Sequence, residues 1–177
     1  MKNQSRIRWV TRTAVFLALL VVLQSLTASF GSTLVTGSMV NLMLIVSVMI
    51  CGLTSGLSVA ALSPILAKLL GIGPFWSLIP FIIAGNVALV LLWHFLGRLG
   101  GAKGPVLATA AAACAKFLVL YGGIVKVAIP FLLQLSGQQA AVVSHMFSLP
   151  QLVTALIGGA AASLILPLLQ RALAGKF

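Results

Sequence analysis

Long apolar runs separated by short breaks rich in glycine, serine and glutamine occupy most of this chain. A membrane helix needs about 20 mostly apolar residues to cross the hydrocarbon core. On that measure six segments stand out, at roughly 10–30, 38–53, 56–71, 76–97, 105–127 and 149–172. The second and third are short, and Cys51-Gly52-Leu53-Thr54-Ser55-Gly56 between them predicts a tight turn joining antiparallel helices. Further breaks fall at Gly71-Ile72-Gly73-Pro74, from Gly97 to Gly104-Pro105, and at Ser136-Gly137-Gln138-Gln139. The pattern predicts an all-α membrane protein, a single compact bundle of six transmembrane helices over residues 1–177, with no soluble domain and no detectable repeat.

Composition agrees: the chain is 61% hydrophobic, with a mean hydropathy of +1.22. It carries 11 Lys and Arg and no Asp or Glu. Nucleic-acid binding needs a clustered basic face on a soluble domain, whereas these charges punctuate apolar runs, so no nucleic-acid partner is expected. Cationic residues concentrate on cytoplasmic loops. Placing both termini in the cytoplasm puts Lys2, Arg6, Arg8, Arg12, Arg98, Lys103, Arg171 and Lys176 inside, and predicts a multi-pass protein of the cell membrane. Reading the first segment as a cleaved signal peptide, with Thr27-Ala28-Ser29 as small residues at its end, is disfavoured: its apolar run is too long, and cleavage would leave an odd number of helices. Trp9, Trp76 and Trp93 suit interfacial belts, and Cys51 and Cys114 read as buried small hydrophobes.

In that orientation the polar residues of the later helices converge on the outer half of the bundle. Asn41, Lys68, Asn86, Lys116, Lys126, Gln151 and Thr154 are the candidate substrate-binding residues, since polar side chains at such depth face an internal cavity, a partner or a substrate path. Thr109, Ala112, Ala113 and Gly123 share the face of Lys116 and are expected to leave room beside its ammonium. Gln151, Thr154, Gly158 and Ala162 form a polar-then-small stripe whose first part binds and whose last part packs. For Asn86 and Gln151 an interhelical hydrogen bond is an equal alternative to ligand contact. Lys116 is the sharpest case: a lysine at mid-membrane costs at least about 2.5 kcal/mol, and no carboxylate side chain exists to meet it. Deprotonation, backbone carbonyls around a wet cavity, or an anionic ligand must compensate, and an anionic solute is the economical answer.

Missing carboxylates also exclude much chemistry. Nothing here supplies a proton-relay acid, a phosphate loop with a magnesium ligand, a catalytic triad or paired acids, so neither enzymatic activity nor a cofactor is expected. His94 and His145 lie most of a membrane apart, and no metal site is expected. Uphill transport would need an energised partner. Ala14 and Ala18, small residues one turn apart on the first helix, are the candidate docking surface for it.

Thr11 to Leu20, Gly37-Ser38-Met39-Val40-Asn41, Pro80 to Asn86 and Lys116 to Tyr121 together resemble the S component of an energy-coupling factor (ECF) transporter. The resemblance extends over nearly the whole chain in length, helix count and order of signals. It implies a six-helix protein that captures a vitamin or related micronutrient from outside and passes it through a transmembrane T component and two ATPases. It also implies that Ala14 and Ala18 match the family's docking motif, and that the loop after the first helix, about residues 29–36, closes the pocket. Many members carry acidic residues in or around that pocket; their absence here points away from cationic substrates such as thiamine and toward an anionic one such as pantothenate, lipoate or niacin. A small anion channel or passive facilitator, and a structural subunit whose partner pairs a carboxylate with Lys116, are the competing functions.

Overall fold

A computed structural model describes residues 2–73, 75–101 and 103–173; Pro74 and Lys176 lie outside the described residues. The fold is helical, with no strand among the described residues. The helices are α1 (Lys2–Ala28), α2 (Thr33–Cys51), α3 (Leu53–Leu69), α4 (Ile79–Leu96), α5 (Lys103–Leu120), α6 (Gly137–Met146) and α7 (Leu149–Leu173). A 3₁₀ turn, Trp76–Leu78, leads into α4, and α5 continues as a π-helical segment, Tyr121–Leu132. Apolar stretches long enough to cross a membrane occur in α1, α2, α4, α5 with its extension, and α7, and α3 is a shorter apolar helix. The chain is therefore a multi-pass membrane protein by the length and composition of its helices.

Helix ends differ from expectation where capping, not hydropathy, sets them. Ser32 caps α2, its hydroxyl accepting from the Val35 amide, so α2 starts at Thr33 rather than near residue 38. Gly52, at φ +89°, breaks α2 from α3 alone, in place of the longer predicted turn. In the polar stretch expected to be loop, Ser136 and Gln139 form a capping box that starts α6, which therefore carries His145. α1 reaches back through its basic residues because Lys, Arg and Gln favour helix as well as apolar residues do.

The most extensive packing joins α2 with α7 and α4 with α5, followed by α5 with α7. Glycines allow the close approach. A Cβ on Gly158 would lie 2.7 Å from Asn41 Cβ, and one on Gly159 would lie 2.6 Å from Thr109 Cγ2. The small residues around Lys116 therefore serve helix packing: Ala112 and Ala113 are buried in the core, and Gly123 is covered by Phe81, leaving no room for a solute there. That overturns their expected role. Trp93 is 0% exposed in the centre of the core among Val48, Val59, Leu89 and Val90, so it is no interfacial belt residue. Cys114 is exposed on the bundle surface, not buried, and Cys51 is half-buried.

Antiparallel connection sorts charge by end. Arg6, Arg8 and Arg12 in the first half of α1, Arg98 after α4, Lys103 at the start of α5 and Arg171 in the last turn of α7 occupy one end of the bundle. The α1–α2, α3–α4 and α6–α7 connections occupy the other.

Candidate functional site

At the end away from those arginines lies a cavity of about 370 Å³. Its walls come from α1, α2, α3, α4, α5 and α7, with the α1–α2 connection (Gly31, Ser32), the α3–α4 connection (Ile72, Gly73) and the α6–α7 junction (Met146, Phe147) around its mouth. Val40, Pro64, Ile82, Leu120 and Phe147 give it an apolar body, and Lys116 is the only charged residue among the described residues that line it. The deepest lining residues are recognisable from their place on the helices: Asn86 lies seven residues into α4, about 10 Å from its start. Ser63 and Lys116 stand at comparable depth. Beyond them the bundle is filled by Leu44, Val48, Leu89 and Trp93, all fully buried, which close the cavity toward the basic end.

Lys116 is 4% exposed. Its ammonium donates to Asn41 Oδ1 at 2.5 Å and to Asn86 Oδ1 at 2.7 Å. The carboxamides are aimed by their other ends. Pro64 lacks an N–H, so the carbonyl of Ala60, four residues earlier, loses its helical partner; Asn86 Nδ2 donates to that carbonyl at 3.5 Å. Asn41 Nδ2 donates to Thr154 Oγ1 at 3.3 Å, and Thr154 in turn donates to the Gln151 carbonyl at 3.1 Å. Both amides thus turn their oxygens to the lysine, which can only donate.

These bonds answer the question that the missing carboxylates raise. Hydrogen bonds to a charged group contribute about 1.5–3 kcal/mol each, so two of them offset an insertion cost of about 2.5–3.5 kcal/mol. The chain itself, through side-chain amides that the sequence reading did not consider as the lysine's partners, holds the lysine in place without any ligand. Two of the three ammonium donors are used, and the cavity is the remaining neighbour.

The predicted site residues divide cleanly. Asn86, Lys116 and Gln151 line the cavity, the last fixed by Nε2 donating to the Met146 carbonyl at 3.1 Å. Asn41 and Thr154 do not reach it and instead position the lysine from behind. Lys68 and Lys126 stand apart from both: neither lines the cavity, and Lys126 is exposed, with its ammonium 5.5 Å from the centre of the Tyr121 ring. On α7, Gln151 lines the cavity, Thr154 stands behind the lysine's amide partner, and Gly158 and Ala162 lie in the helix interface. Gln24 and Ser63 are cavity residues that the sequence reading missed. A serine before a proline on an apolar helix was the available signal for Ser63. Ala14 and Ala18 are both exposed on the outer face of α1, unused by the internal packing.

No group of His, Cys, Asp or Glu among the described residues is arranged to hold a metal. Comparison with known protein families, with characterised proteins and with solved structures finds no match to this chain.

Proposed function

We propose that this protein is the solute-capturing component of an importer of the ECF type, residing in the cell membrane with both termini in the cytoplasm. It takes up an anionic, vitamin-like small molecule in the cavity from outside and depends on a T component and two ATPases for transport. The observation that carries this reading is a cavity with a single cation among the described residues that line it, built in a chain without carboxylate side chains. With cationic residues gathered at the opposite end, the mouth faces outward. A passive facilitator needs a continuous wet path, and the fully buried core below Lys116 argues against one. A structural subunit needs its lysine accessible to a partner's carboxylate, and the burial of Lys116 argues against that. The exposed Ala14 and Ala18 suit close approach by another helix.

The test is purification followed by mass spectrometry of co-purified small molecules, then uptake of the identified solute in cells. Ala14→Trp and Ala18→Trp are expected to abolish uptake while leaving solute affinity within about twofold, because the added bulk blocks helix approach far from the cavity. Concentrative uptake by the purified chain alone in liposomes would refute the proposal.

A further inference from the structure

Among the hydroxyl residues described, Ser38 and Ser63 are the exceptions with a buried, unpartnered Oγ, and of the two only Ser63 lines the cavity. Serine and threonine on a helix ordinarily donate to a carbonyl one turn back, and Ser25, Ser58, Thr109 and Ser163 each bond the carbonyl four residues earlier. Ser63 is 1% exposed, yet its Oγ has no hydrogen-bond partner. A buried hydroxyl left unsatisfied is costly, and this one lies on the cavity wall. It shares that wall with the lysine. Asn86 bridges the two helices, accepting from Lys116 and donating to Ala60, and Ala60 sits three residues before Ser63 on the same face of α3. The deep part of the cavity therefore gathers one unused ammonium donor and one unused hydroxyl.

We propose that Ser63 and Lys116 form a clamp for one carboxylate group of the solute, with Ser63 as a specificity-determining residue. The inference rests on the reading of the cavity as a solute pocket and narrows the solute class. A carboxylate has two oxygens, one for the ammonium and one for the hydroxyl. A dianion such as a phosphate ester would leave one charge uncompensated, since no second cation lines the cavity among the described residues. A zwitterion would bury a cation with no acid to meet it. The solute is accordingly a monocarboxylate with an apolar body against Ile82, Leu120 and Phe147, and an uncharged polar end near Gln24 and Gln151 at the mouth.

The clamp can be tested without knowing the solute. In a background with Cys51→Ser and Cys114→Ser, Ser63→Cys places a thiol of nearly the same size at the deep position. Its labelling by an anionic and by a cationic methanethiosulfonate reagent of similar size is compared, each rate normalised to that with free cysteine. Preference for the anion by tenfold or more is expected, falling to about one when Lys116→Met is added. Equal rates, no labelling at all, or a preference unchanged by Lys116→Met overturns the clamp. Should Ser63→Cys fail to fold, Thr36→Cys on the α2 wall reports the same cavity with the same expected ratio and the same dependence on Lys116. Failure here is separable from failure of the importer reading. Loss of uptake in Ala14→Trp with no anion preference at position 63 retains the importer and rejects the clamp. Anion preference without ATPase-dependent uptake does the reverse.

Discussion

The two halves of the bundle are built from the same apolar alphabet and end in opposite states. Toward the basic end, Trp93 fills the space between α2, α3 and α4 against Val48, Val59 and Val90, and the buried hydroxyls there, Thr13, Ser47 and Ser55, bond one another or a carbonyl of their own helix. Toward the other end, α2, α4, α5 and α7 each contribute a buried polar side chain at similar depth, and these meet one another instead of an apolar partner. Their mutual bonds satisfy one another, and the space above them is open as the cavity. One half excludes volume with a large ring; the other preserves it with a satisfied network. Hydrogen-bonded polar groups therefore shape the cavity in this fold, and apolar bulk closes it.

The comparison breaks most directly at Trp93. Trp93→Ala empties the packed half and is expected to lower stability by about 3–5 kcal/mol, read from thermal or denaturant unfolding in detergent. Solute affinity of the protein that remains folded should change by less than threefold. A comparable loss of affinity would show that the two halves are not independent.

Lys116→Met tests the open half. Affinity for an anionic solute is expected to fall by about 2–5 kcal/mol, measured by titration calorimetry. Stability of the solute-free protein should fall by only about 1–2 kcal/mol. Two bonds of about 1.5–3 kcal/mol each are lost, while the insertion cost of about 2.5–3.5 kcal/mol is relieved. Unchanged affinity in a folded variant would make the lysine purely structural.

Smallest of all should be the effects of Lys68→Met and Lys126→Met, since neither lysine lines the cavity. Both affinity and stability are expected to stay within about 0.5 kcal/mol of the parent, as for most surface substitutions. A tenfold loss of affinity in either would place that lysine on the solute's path and enlarge the site beyond the cavity described above.

The sequence by itself determined the six apolar helices, though neither α6 nor their exact ends, and the polar residues worth following. Runs of about 20 apolar residues have few solutions other than membrane helices, because every backbone polar group must be satisfied inside lipid. The absence of acids made Lys116 conspicuous, and a three- and four-residue period placed Gln151, Thr154, Gly158 and Ala162 on one stripe. Tertiary structure alone decided who meets whom. Asn41 lies 75 residues from Lys116 and Asn86 lies 30 residues away, so their bonds depend on helix order and rotation that no local pattern encodes. Lys68 and Lys126 fall in the same half of the bundle as the site but do not line it, because position along a helix follows from sequence whereas facing follows from packing. Ser63 carried only the weak signal of a serine before a proline: its unpaired hydroxyl and its place on the cavity wall follow from packing.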